Sequence, residues 1–216
     1  LVKLYDSGNY SKSELADMPE VQDLIGLLDA LVSPAHDLSL ARALKSPLFS
    51  VTDDDLVQLV LRQRALLAAG QLAAQASLFD EADASTESAT KPPAKLSWFE
   101  VLQQATDLPP TLAPIGATLA LWKSWVDTLP PHDALSAIYH HGDVLARFAA
   151  ATPANQRDAV LANLRALLSA ALQVDGGRYV TAYTLVRALR AGGNPAPVRA
   201  DAQAVRLLTV HGAKGL

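Results

Sequence analysis

The strongest constraint on this chain is a helical hydrophobic period that recurs almost from end to end. In Pro19–Val32 the apolar residues fall at Val21, Leu24, Ile25, Leu28, Leu31 and Val32, the spacing that lines one helix face. Pro19 suits the first turn, where its missing N–H costs nothing, and Glu20 suits the positive end of the helix dipole. A second helix is predicted over Asp37–Lys45. It stops at Ser46-Pro47, because proline disfavours helical geometry in the residue before it. Thr52 then caps a helix whose first turn is Asp53-Asp54-Asp55 and whose apolar residues include Leu56, Leu59, Val60, Leu66 and Leu67. Further helices are expected over 97–105, about 112–129, 133–151, 153–174 and 179–191. Thr152-Pro153 reads as a cap plus first-turn proline, and Gly176-Gly177 and Gly192-Gly193-Asn194-Pro195 read as stops.

Two stretches depart from this period. Residues 80–93 have no periodicity and few large apolar side chains, which predicts a mobile loop within one helical region. Ala204-Val205-Arg206-Leu207-Leu208-Thr209-Val210 is short, β-branched and bounded by turn residues, which predicts a buried strand. One strand cannot pair with itself, so its partner is expected outside the chain or, poorly, from residues 1–5. The expected fold is therefore mainly all-α, roughly eight helices with one short C-terminal strand. The division is a helical region over 1–203 and a return strand over 204–216. The chain begins at Leu1, its only Met is Met18, and it ends on a glycine-rich turn; all three lead to the expectation of a piece of something larger.

Composition narrows the function classes. In 216 residues, half are hydrophobic and 19% are charged, which is ordinary for a folded chain. The net charge of −4 and a pI near 5.7 argue against a broadly basic nucleic-acid binder. The absence of Cys excludes a disulfide scaffold and a Cys nucleophile, and it suits a reducing, cytoplasmic setting. Charges interrupt every apolar stretch and the first ten residues lack an apolar signal core, so neither a membrane span nor a secretory leader is expected.

Most candidate chemistry dissolves on inspection. His140-His141 lacks further ligands at zinc spacing, so no metal site is expected. Asp53-Asp54-Asp55 lacks the glycine and terminal Glu of a calcium loop, and helix capping explains it better. No Gly-x-Ser-x-Gly turn, phosphate-cradling Gly-x-x-x-x-Gly-Lys loop or Gly-x-Gly-x-x-Gly turn occurs. Trp122 and Trp125 are three apart on one helix, so at least one is expected in the core rather than stacked on bases. The exception is Thr209-Val210-His211-Gly212-Ala213-Lys214-Gly215-Leu216. There a strand delivers a hydroxyl, an imidazole, two glycines and a Lys into one tight turn. Gly212 and Gly215 let backbone amides approach an anion, and Lys214 adds a point charge.

This octapeptide resembles motif V of the superfamily 1A DNA helicases, the UvrD/Rep/PcrA group, whose usual form is Thr-x-His-x-Ala-Lys-Gly-Leu-Glu. Every fixed position matches except the Glu, whose position would fall one residue past Leu216. A second stretch agrees. Met18-Pro19-Glu20-Val21-Gln22-Asp23-Leu24, Ser33-Pro34-Ala35-His36-Asp37-Leu38, Leu44-Lys45-Ser46-Pro47-Leu48-Phe49 and Asp53-Asp54-Asp55-Leu56 are similar to the start of the helical 2B insertion, most closely in AddA- and RecB-like helicase-nuclease subunits. The two stretches stand in the family's order, and the middle matches in helicity alone.

The resemblance implies an ATP-dependent DNA helicase of recombination and double-strand-break repair, in which the 2B region is inserted into the second RecA-like motor domain. It implies ATP and Mg in the intact protein, contacts to single-stranded DNA and the duplex junction, and a possible partner subunit of a helicase-nuclease. By position, Thr209 and His211 would contact DNA, and Gly212, Lys214 and Gly215 would couple the nucleotide site to it. No nucleotide loop, Walker B acids, arginine fingers or nuclease carboxylates are present, so the segment alone is expected to lack ATPase, helicase and nuclease activity. The alternative is a freestanding helical interaction module with a relic motif V.

The basic residues expected to form any contact face are Arg178, Arg187, Arg190, Arg199, Arg206 and Lys214. With a net charge of −4, DNA binding by this chain is expected to be weak and salt-sensitive, because affinity comes from cations that neutralise phosphates. Fluorescence anisotropy with labelled DNA at low and physiological salt checks this; tight binding that ignores salt would contradict it.

Overall fold

The computed structural model describes residues 5–6, 14–80, 95–174, 181–197 and 206–207. Within these residues the chain is mostly α-helical. A 3-10 turn at Leu15–Asp17 leads into α1 (Pro19–Val32) and α2 (Asp37–Lys45), followed by the long α3 (Asp53–Asp80). After these come α4 (Trp98–Gln104), α5 (Ala113–Thr128), α6 (Pro131–His141), α7 (Val144–Ala151), α8 (Ala154–Gln173) and α9 (Ala182–Ala191). No helix among the described residues is long and apolar enough to cross a membrane.

The core is built around α1. Its predicted stripe is buried at Val21, Leu24, Ile25, Leu28 and Leu31, and so are Leu27 and Ala30 away from that stripe. A helix that is apolar on most of its circumference is stable only when enclosed. Packing of α2, α5, α8 and α9 around α1 provides that enclosure. Two carboxylates are carried inward with it. Glu20 is 8% exposed and accepts a hydrogen bond from Asn163 Nδ2 at 2.7 Å, which ties α1 to α8. Asp29 is 6% exposed and faces α9.

Local capping follows the sequence. Pro19 occupies the first turn of α1. Thr52 and Asp55 cap α3 reciprocally: the Asp55 N–H donates to Thr52 Oγ1 at 3.2 Å, and the Thr52 N–H donates to Asp55 Oδ2 at 3.0 Å. Thr111 Oγ1 adds a bond to Asp55 Oδ1 at 2.7 Å, pinning the start of α3 beside the loop before α5. The acidic triplet is thus a helix start. Ser97 and Glu100 form a second capping box at α4, and Thr181 and Thr184 a third at α9.

Three expectations change. The single helix expected over 133–151 is two, because the chain turns at Gly142 and Asp143, the latter left-handed at φ 48° and ψ 39°. The turn is tight: a Cβ on Gly142 would lie 3.1 Å from both Leu48 Cδ1 and Trp122 Cζ2. Thr152 does not cap α8. It closes α7, its hydroxyl donating to Phe148 O at 2.7 Å, and Pro153 takes the cap position of α8. Asp80, expected to open a loop, is the last residue of α3. The rest of that loop, and the expected Gly176-Gly177 stop, lie outside the described residues.

β1 (Tyr5–Asp6) and β2 (Arg206–Leu207) form a parallel pair, with Tyr5 opposite Arg206 and Asp6 opposite Leu207. The partner of the C-terminal strand thus lies within the chain, near the N-terminal residues named as the weaker option. The rest of 204–210 lies outside the described residues.

Helices α4 and α5 cross with Gly116 directly against the Leu102 carbonyl, where any Cβ would overlap that oxygen. Gly116→Ala is therefore expected to destabilise the fold by about 3 kcal/mol despite the better helix propensity of Ala, as overpacking against backbone has no cheap relief. Urea unfolding of the two proteins, followed by circular dichroism, measures the difference.

Candidate functional site

The motif residues Thr209, His211, Gly212, Lys214 and Gly215 lie outside the described residues. The structure does describe the elements that lead to them. Gly192 and Gly193, at φ 82° and 90°, end α9 in backbone conformations that suit only glycine. The following segment is tied to the start of the helical body. The Leu15 N–H donates to Asn194 O at 2.7 Å, the Gly193 N–H donates to Glu14 Oε2 at 2.8 Å, and Glu14 and Pro195 form an antiparallel bridge. Outgoing and returning chain are therefore fastened together twice, at 14/195 and again at the β1–β2 pair.

Beside this neck is a cleft of about 620 Å³, between the 3-10 turn, α1, α2 and α9. Ile25, Gly26 and Ala41 give it apolar walls, and Arg42, Lys45 and Arg190 contribute cations. Each cation already has a carboxylate. Arg42 Nε meets Asp23 Oδ1 at 3.0 Å, Lys45 Nζ meets Asp53 Oδ1 at 2.6 Å, and Arg190 Nη2 meets Asp29 Oδ2 at 3.0 Å. Paired cations of this kind are poor phosphate ligands, because a phosphate would have to displace a carboxylate first. Of the expected basic face, then, Arg190 is committed to the fold, and Arg187 lies over the Tyr183 ring at 5.8 Å. Arg178, Arg199 and Lys214 lie outside the described residues.

Asp29 is the hub of this region. One oxygen, Oδ2, accepts from Ser39 Oγ and Arg190 Nη2, and lies 3.1 Å from His36 Nδ1. Burial pushes the Asp29 carboxyl up, but the hydrogen bonds from Ser39, His36 and Arg190 together with the Arg190 charge outweigh it and hold the group below the ordinary carboxylate range. His, Ser and Asp here do not form a nucleophilic relay, since the Ser39 hydroxyl is bonded to Asp29 and not to His36. The arrangement is a clamp that joins α1, the start of α2 and the end of α9. Sequence reading passed over Asp29, although a carboxylate four residues after Ile25, on the apolar stripe, is the signal that finds it.

The remaining candidates resolve into packing. Trp122 is 1% exposed and its Nε1–H donates to His141 Nδ1 at 3.2 Å. The His141 ring stands edge-on to Trp122 and Trp125, with centroids 6.0 and 5.5 Å away. Trp98 Nε1 donates to Gln63 Oε1 at 3.3 Å. No group of three or more His, Asp or Glu able to hold a metal occurs among the described residues. No protein-family model matches the chain, and no curated protein matches it.

Asp29→Asn is expected to cost about 2 kcal/mol near neutral pH by weakening charge-assisted bonds to Arg190 and Ser39. The folded-state pKa of Asp29 lies below its unfolded value. Its stabilisation is therefore complete above about pH 4 and is lost as pH falls through the folded value. The gap between wild type and Asp29→Asn should accordingly shrink below about pH 4. Thermal unfolding of both proteins from pH 7 to pH 3 tests the direction.

Proposed function

We propose that the chain is the helical 2B-type region, with return strand and motif V, of an ATP-driven DNA helicase resembling the AddA and RecB subunits of recombination helicase-nucleases. The observation that carries this reading is the parallel β1–β2 pair immediately ahead of Thr209. Parallel strands require a long crossover connection, and here the whole helical body is that crossover. A two-residue parallel pair is too small to be stable alone, and no third strand joins it among the described residues. Such a pair suits two neighbouring strands of a larger parallel sheet from which the helical body is an excursion. The double fastening at Glu14/Pro195 and β1/β2 gives that excursion a narrow neck.

In this reading Thr209 and His211 contact the DNA backbone, and Gly212, Lys214 and Gly215 link the DNA to the nucleotide site. Two amides freed by glycine and one ammonium can follow a phosphate's charge. The residues that hold ATP and Mg are assigned to other parts of the motor, because this sequence has no nucleotide loop. Single-stranded DNA and the duplex junction are the ligands, a helicase-nuclease subunit is the partner, and the setting is cytoplasmic.

The test is ATP hydrolysis by the whole gene product with and without single-stranded DNA. DNA should stimulate the rate, and Lys214→Ala should lower the stimulated rate about tenfold or more while leaving the melting temperature unchanged. A gene product with no nucleotide loop and no ATPase activity would sink the helicase reading and leave the interaction module.

A further inference from the structure

A second cavity, of about 220 Å³, lies where the connection between α2 and α3 meets α5 and the turn between α6 and α7. Its inner wall is apolar, formed by the buried side chains of Leu48, Ile115 and Trp122. Phe49 and His141 add two more rings. The Phe49 ring tilts 44° to the Trp122 ring with centroids 5.6 Å apart, and the His141 ring stands edge-on to it. The walls meet at Gly142, where a Cβ would crowd both Leu48 and Trp122. Backbone strain marks the same place. Among the described residues, Ser50 and Asp143 are the two non-glycine residues with left-handed backbone, at φ 53° and 48°. Each directly follows a pair that lines the cavity, Leu48-Phe49 and His141-Gly142. Such backbone is uncommon outside glycine and concentrates where a fold fixes side chains around a ligand.

Hydrogen-bonding capacity at the rim decides the charge of what fits. An indole N–H can only donate, so Trp122 makes His141 Nδ1 an acceptor and leaves the ring proton on Nε2. Thr111 and Thr118 spend their hydroxyl protons on Asp55 Oδ1 and Pro114 O, so both can only accept. Arg147 is held by one bond, from Nη1 to Leu48 O at 2.9 Å. Unlike Arg42, Lys45 and Arg190, it meets no carboxylate among the described residues. No lining residue is acidic. The donors left over are therefore the Arg147 guanidinium and the His141 Nε2–H, and the cavity has a positive mouth over an aromatic wall.

We propose that this cavity binds a small aromatic carboxylate, with its ring against Phe49 and Trp122 and its carboxylate on Arg147. The cavity is smaller than the ~300 Å³ at which sites for drug-sized ligands begin, so it holds a single ring. Tilted and edge-on rings are the arrangements in which a further ring packs well. A planar guanidinium matches a carboxylate with two parallel bonds, and Arg147 has the N–H groups to spare. An ammonium group on the ligand would find no carboxylate in the lining, so a simple acid suits the site better than an amino acid.

Proton–nitrogen correlation NMR of the 216-residue chain tests this, because its three Trp give three indole N–H signals. Trp98→Phe and Trp125→Phe identify two of them and leave the third to Trp122. Phenylacetate should shift the Trp122 signal saturably, with a Kd of about 1 mM or tighter. Acetate and benzyl alcohol each lack one half of the ligand and should bind at least about tenfold more weakly. No saturable shift with phenylacetate, or equal binding by benzyl alcohol, overturns the proposal. Arg147→Gln should weaken phenylacetate about tenfold and leave benzyl alcohol unchanged; an unchanged phenylacetate Kd refutes the assignment of the carboxylate to Arg147. That variant also loses the bond to Leu48 O, so a second one is needed. Thr118→Phe puts a larger side chain at the cavity rim and should block phenylacetate with the melting temperature unchanged. Binding that survives it places the ligand elsewhere and overturns the proposal.

Discussion

Enclosure of α1 is the constraint from which the rest of the structure follows. Its apolar residues cover most of the helix circumference, so no single packing partner can satisfy it. Helices α2, α5, α8 and α9 must all meet it, which fixes one compact arrangement out of elements that are individually short. The two carboxylates drawn in with α1 sharpen that arrangement. Glu20 needs Asn163, and Asp29 needs Ser39 and Arg190, so a shift of α8 or α9 by a fraction of a turn would leave a buried charge unpaired. Apolar burial supplies the stability and these polar bonds select the register.

The Asp29 clamp also connects the core to the neck. Arg190 lies two residues before Gly192, whose left-handed backbone turns the chain toward Asn194 and Pro195. The path from α1 through Arg190 to the Glu14–Gly193 bond is continuous. The described ends of the chain, β1 and β2, are thus joined to each other beside a helical body whose first and last elements are also tied together. That mechanical continuity is what an inserted helical region needs if its position is to be sensed by a motor, and it is consistent with the proposed role.

The part of α3 from Ala68 to Leu72 presents the opposite physical situation. The core is over-determined by contacts, whereas α3 is exposed from Ala68 to Leu72 and carries no charge from Ala65 to Phe79. The helix is capped by Thr52 and Asp55 and pinned by Thr111, so its start is fixed against the body.

Much of the fold was legible in the residues. The helical period, the proline at the start of α1, the Thr52–Asp55 cap and the Ser46-Pro47 stop are local effects, decided within a few residues by backbone sterics and hydrogen bonding. The break at Gly142-Asp143 was not legible, since the helical period runs through it and the close approach of Leu48 and Trp122 to Gly142 is a tertiary contact. Nor was the clamp, which joins Asp29 to Arg190 across most of the chain. By itself, then, the sequence determined where helices form, what caps them and which face is apolar. The tertiary structure alone decided which cations are consumed by carboxylates and in what register the end strands pair, because those outcomes depend on contacts between residues far apart in the chain.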